Sequence, residues 1–304
     1  MKSTRIIIAT LTFVLAVSSC KKEDDLGSVD NIPGLGGDTW TPGPIDKWIY
    51  DTLTVPYNIA VKYKWDQSEL SLNKTLVPPK EEKVTPLLSA ISRGWIQPYV
   101  DEAGISFFKN ISPKFFILVG SPSFNSDGSI TLGTAEGGRK VVLYNVNNFR
   151  TKGMPGYILS DTDNVKEAFH TIHHEFGHIL DQNIVVPVEF SQSSASSYTS
   201  DWTNVNPQDA LNEGFISQYA ISHKNEDWAE MVSLMLVNGR AWFDNLVNSI
   251  NYAGTTPNGT TAAVAKARLR QKESVVVSYF KQAWNIEFYN LQLRSRYAIN
   301  SLLY

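Results

Sequence analysis

Asp163 to Asp181 read DNVKEAFHTIHHEFGHILD. At about 100° per residue, Val165, Ala168, Phe169, Ile172, Phe176, Ile179 and Leu180 gather on one side, which predicts an amphipathic helix lying against a core. Ser160-Asp161-Thr162-Asp163 supplies capping residues for its start. The opposite side carries His170, His174, His178 and Asp181. Within it, His174-Glu175-Phe176-Gly177-His178 is an H-E-x-x-H pattern. Two imidazoles one turn apart can hold a single zinc ion, and the glutamate beside the first can reach a water on that ion. Four of the five histidines fall within residues 170–178. His170 could be a further ligand, although contact with solvent or with a carboxylate behind the metal suits it better. His173 lies off the ligand side and receives no metal role.

A zinc ion poised for chemistry needs a third protein ligand and an open position. A third histidine six residues after His178 is excluded, because Ile184 stands there and Asp181 replaces the glycine of that extended pattern. His223 sits in a polar stretch that reads as a turn. Glu213 and Glu226 remain as candidates. Glu226-Asp227-Trp228-Ala229-Glu230 opens a helical pattern with Trp228, Met231, Val232 and Met235 on a core face and Glu226 and Glu230 on the other. One carboxylate of such a pair can bind metal while the next fixes the tautomer of a ligating histidine, so Glu226 is preferred as ligand and Glu230 as its support. The set predicts one Zn2+ per chain.

Upstream, Tyr57–Trp65 alternates like a half-buried strand, and Lys83–Glu102 has helical spacing interrupted at Pro98. Lys114–Gly120 is a short apolar run, a buried strand. Ser129–Gly133 and Lys140–Val146 flank a Glu136-Gly137-Gly138 turn and predict a hairpin. Thr261–Trp284 reads as a long buttressing helix, and Ser191–Thr203 as a connector or a specificity loop. The class is α+β: an N-terminal mixed sheet plus helix, a mostly helical C-terminal part, and the His174 helix between them. Residues 46–304 form the domain, sheet-rich over about 46–150 and helical over about 151–304.

The 304 residues are 42% hydrophobic and 19% charged, a globular composition. With 27 basic and 30 acidic residues, net −3, the chain is too balanced for a nucleic-acid-gripping protein. Its single cysteine, Cys20, rules out an intrachain disulfide and a multi-cysteine zinc site. Lys2 and Arg5 precede an apolar run from Ile6 to Val17, the pattern of a signal peptide over residues 1–19. Val17-Ser18-Ser19-Cys20 resembles a bacterial lipobox, which implies lipidation of Cys20. Lys21-Lys22-Glu23-Asp24-Asp25 resembles the signal that sends lipoproteins of Bacteroidota to the outer face of the outer membrane. Removing residues 1–19 takes away two cations and no acid, leaving −5. Residues 20–45 are rich in Gly, Pro and Asp and read as a flexible tether.

HEFGH with a distal EDWAE resembles the gluzincin metallopeptidases. The tract from Tyr219 to Glu230 is similar to the catalytic domain of anthrax toxin lethal factor, in which a tyrosine precedes the zinc-binding glutamate by the same seven positions. That resemblance implies a zincin-like fold, with Tyr219 as oxyanion donor and Glu175 as general base. Taken with the lipobox, the layout is similar to zinc-binding metallopeptidase lipoproteins of Bacteroidota found beside TonB-dependent import systems. It implies a peptide or glycopeptide substrate, a membrane anchor and neighbouring outer-membrane import proteins. The alternative is an accessory lipoprotein with a structural zinc site, against which the intact Glu175 speaks. By analogy with strand addition, Lys140–Val146 is the expected edge strand for substrate.

Overall fold

Short β-branched and aromatic runs build a sheet, and the longer 3.6-periodic segments pack around it as helices. The computed structural model describes residues 41–66, 69–70, 73–125, 130–131, 133–136 and 140–304. Residues 1–19, Cys20 and the tether up to residue 40 lie outside the described residues, and Pro42–Tyr304 is one compact unit. No described helix is long and apolar enough to cross a membrane.

Helical residues run from Pro44 to Tyr57 and end at Asn58, whose φ of 58° is left-handed. The turn delivers β1 (Ala60–Lys62) to the sheet. The predicted strand from Tyr57 to Trp65 is therefore only three residues long, because its first residue completes a helical turn. Next come α1 (Glu81–Ile91), a wide-turn segment (Ser92–Ile96) and α2 (Gln97–Ile111). Pro98 does not interrupt this run. It follows closely on the wide turn Ser92–Ile96, and the departure from helical φ/ψ comes at Gly104, with φ 84°.

The strands that follow are β2 (Phe115–Leu118), β3 (Ser123–Phe124), β4 (Ile130–Thr131), β5 (Gly133–Glu136) and β6 (Lys140–Leu143). The main sheet has the order β1-β2-β6-β5, parallel except for the antiparallel β5–β6 pair. Ile130 and Thr131 of the expected hairpin pair with β3 in a separate two-stranded sheet. Strand alternation sends Phe116, Leu118, Val141 and Leu143 into the main core and Ile117, Val119 and Val142 into a small cluster with Leu76. Lys140–Val146 is not the edge strand that was expected: β6 is paired on both sides, so its backbone groups are consumed, and β5 and β1 are the edges.

The remainder is helical: α3 (Asp161–Asn183), α4 (Lys224–Asn238), α5 (Arg240–Ser249), α6 (Ala262–Trp284) and α7 (Phe288–Leu303). The mixed architecture is α+β, as the element pattern implied. The apolar side of α3 is buried as predicted, with Phe176 edge-on to Trp95 at 5.4 Å and to Tyr99 at 4.9 Å. Such contacts add about 0.5–1.5 kcal/mol per pair beyond the area they cover.

Two glycines set how closely α3 is approached. A Cβ at Gly177 would stand 3.3 Å from the Ala229 backbone, so α4 lies almost directly on α3 there, and Trp228 Nε1 donates to the Gly177 carbonyl at 3.0 Å. A Cβ at Gly133 would stand 1.9 Å from Thr171 Cγ2, so β5 rests on the helix less than one turn before His174. The buttress α6 holds the far end, where Tyr279 donates from its hydroxyl to the carbonyls of Leu180 (2.8 Å) and Ile184 (2.6 Å).

Candidate metal centre

Helical geometry projects His174 and His178 to the same side of α3, and the close approach of α4 brings Glu226 between them. His174 Nε2 lies 3.1 Å from His178 Nε2 and 3.1 Å from Glu226 Oε2, and His178 Nε2 lies 3.2 Å from the same oxygen. These three atoms form a triangle that N–H donors cannot satisfy pairwise, because each ring N–H points at one partner. The spacing fits a shared cation: tetrahedral zinc with ligand distances near 2.0 Å would separate its ligands by about 3.3 Å. Two neutral imidazoles and a carboxylate are also a donor set suited to zinc.

The support behind the triangle is complete. His174 donates from Nδ1 to Glu230 Oε1 at 2.8 Å, which leaves its Nε2 lone pair facing the triangle. The same oxygen lies 2.8 Å from His170 Nε2, and Ser217 Oγ donates to Glu230 Oε2 at 2.6 Å. His170 therefore sits behind the metal position, beside a carboxylate. Ser217, four residues after Glu213, thus serves Glu230. Burial disfavours the charged forms of His170 and His174. The facing carboxylates outweigh it, chiefly Glu230 for His170 and Glu226 for His174, and raise the two to about 10 and about 9. Burial likewise opposes ionisation of Glu226 and Glu230, yet their histidine partners hold both well below the usual carboxylate range.

The structure does not bring Glu213 to this centre. It is buried elsewhere, accepting from Ser197 Oγ at 3.0 Å and Thr260 Oγ1 at 2.6 Å, with Arg268 Nη1 3.4 Å away. His223 starts α4, accepting at Nδ1 from the amide of Asn225 at 3.3 Å. His173 is fully buried on the core side with Tyr99 Oη 3.4 Å from its Nδ1, and burial lowers it to about 3. Asp181 caps the chain beyond α3, accepting from the amide of Val186 at 2.8 Å.

Glu175 lines the floor of a cleft of about 870 Å³ and of a second one of about 520 Å³. Tyr219 borders both, its ring 5.9 Å from that of His174 and its phenol within the influence of the Glu226 charge. Burial, followed by the Glu226 charge, raises the phenol above its ordinary value and keeps it a proton donor. Trp202 packs edge-on against Tyr219 at 4.9 Å and forms part of the cleft wall. Trp202 belongs to the stretch Ser191–Thr203, which the sequence reads as a connector or a specificity loop. The rest of that connector is held in short helical turns, with Tyr198 Oη donating to Asp227 at 2.7 Å.

A family described as "Putative zinc-binding metallo-peptidase" matches residues 38–289, and the chain belongs to it. The chain is also similar to the crystal structure of a "putative zinc-binding metallo-peptidase" from Bacteroides caccae, at 29% identity and a TM-score of 0.66. That alignment covers 84% of this chain and 92% of the other. No curated relative matches.

Proposed function

From membership of that family we propose that this chain hydrolyses peptide or glycopeptide bonds as a zinc metallopeptidase, with His174, His178 and Glu226 holding one Zn2+. The observation that carries the reading is the triangle of His174 Nε2, His178 Nε2 and Glu226 Oε2, within 3.2 Å of one another, beside Glu175 in an open cleft. Zinc bound there supplies an acidified water and a Lewis acid for the scissile carbonyl. Glu175 accepts the proton of the attacking water and returns it to the leaving amine. The Tyr219 phenol, kept protonated by its surroundings, donates to the oxygen that gains negative charge. Glu230 holds His174 in the tautomer that presents Nε2.

Glu175→Gln tests this assignment. The variant should bind zinc stoichiometrically and lose peptide hydrolysis, whereas normal turnover would remove Glu175 from the base role. Tyr219→Phe should keep zinc and lower kcat by about 10²–10³.

The reading includes an address. A lipidated Cys20 would tether the domain to the outer membrane, facing outward, beside TonB-dependent import proteins that take up its products. The lipobox-like Val17–Cys20 and the following Lys-Glu-Asp run support it. Fatty-acid labelling of the wild type and of Cys20→Ala, with protease shaving of intact cells, tests it. An unlabelled or protease-protected wild-type protein overturns it.

A further inference from the structure

The two clefts that meet at His174, Glu175 and Tyr219 are one groove. The larger, of about 870 Å³, and the smaller, of about 520 Å³, share Thr131, Gly133, His174, Glu175 and Tyr219 as walls. From this common middle the larger extends past Asn125 and Ile130 to Trp202, and the smaller past Thr134 to Gln182 and His223. Ile130 and Thr131 of β4 line the larger cleft and Gly133 lines both, with Thr131 shared and Thr134 of β5 lining the smaller one. Space for substrate therefore continues beyond the reacting position in both directions.

An exopeptidase needs one of these directions closed or equipped to grip a chain terminus. A terminal carboxylate calls for Arg or Lys, and among the described lining residues of both clefts there is neither. A terminal ammonium calls for an available carboxylate. Glu230 lines the larger cleft, but its Oε1 is engaged by His170 and His174 and its Oε2 by Ser217. Glu167 faces the His170 ring at 3.6 Å, Glu226 is held by His174 and His178, and Glu175 is committed as the base of the reading above.

We infer that the groove takes an internal segment of an extended polypeptide, so that the enzyme is an endopeptidase. The inference rests on the peptidase reading above and adds to it the substrate class: chains bound away from both termini. A strand rises about 3.3 Å per residue, so residues on both sides of the cut bond lie against β5 and contribute to binding.

The test uses two pools of about ten-residue peptides of identical sequence, one with free ends and one acetylated at the N-terminus and amidated at the C-terminus. Full-length zinc-loaded protein should cut both pools at internal bonds, with kcat/KM differing by less than about threefold, as read by mass spectrometry. The Glu175→Gln variant should bind the blocked pool in calorimetry. Hydrolysis of free-ended peptides alone, releasing residues from one terminus, overturns the endopeptidase inference and leaves the peptidase reading standing. If neither pool is cut by protein that holds zinc, the peptidase reading fails. Binding of the blocked pool to Glu175→Gln then still supports the internal-segment groove, and absence of binding overturns it.

Discussion

His174 donates from Nδ1 to Glu230 Oε1 at 2.8 Å, and that hydrogen bond spans the interface between α3 and α4. It fixes which imidazole nitrogen is free for a metal. It also makes Glu230 the meeting point of three side chains, since His170 and Ser217 hold its oxygens as well.

Replacing Glu230 by Gln removes the charge and leaves the shape. Zinc affinity, measured by competition with a chromophoric chelator, should fall by about 10- to 100-fold while the circular dichroism spectrum is unchanged. Unaltered affinity would show that the orientation of His174 is set by packing alone.

Glu226→Ala and Glu213→Ala separate a ligand from a structural carboxylate. The first should lose most bound zinc and keep its fold. The second should retain zinc but unfold more easily, by about 3 kcal/mol in denaturant titration, because the Arg268 charge stays buried without its carboxylate partner and Ser197 and Thr260 lose their shared acceptor. The reverse pattern would exchange the two roles.

Gly177 tests the approach of the helices. A side chain there meets the Ala229 backbone, so Gly177→Leu forces α4 away from α3 and carries Glu226 and Glu230 with it. Lower thermal stability and weaker zinc binding are expected together. Loss of neither would mean that the contact is more compliant than its 3.3 Å separation implies.

The metal-free protein should have a distinctive alkaline stability profile. His170 and His174 are raised from an ordinary value of 6.5 to about 10 and about 9. Groups raised in the folded state stabilise it fully below their unfolded value, so their contribution is complete below pH 6.5 and fades as pH climbs through 9 and 10. The melting temperature of chelator-treated protein should decline across that interval. Zinc-loaded protein should decline less, since metal replaces the proton on His174, and zinc uptake near neutral pH should release protons. Parallel melting profiles with and without zinc would contradict this.

Much of the site was legible because its parts are local. His174, Glu175 and His178 lie within five residues, and Glu226 and Glu230 within five more, so helix periodicity alone orients each set. The preference for Glu226 over Glu213 came from that spacing, and the structure brings Glu226, not Glu213, to the two histidines. The edge strand was misread for the opposite reason. Lys140–Leu143 and Gly133–Glu136 both have strand character, and which one is exposed depends on a pairing with β2 across more than twenty residues. Pro98 misled in the same way: a proline marks a helix boundary, but here the helical run continues through it after the wide turn Ser92–Ile96.

By itself the sequence determined the amphipathic helix of residues 163–181, the histidine pair on its polar side and the carboxylate pair of the second helix, because rise and twist per residue fix such relations within one element. Only the tertiary structure decided the rest. Gly177 against Ala229 sets the distance at which two helices converge on one metal position, Gly133 against Thr171 seats the edge strand beside it, and Trp202 closes a wall. Those contacts join residues far apart in the chain, and their geometry is set by close packing in a shared core, which no local pattern encodes.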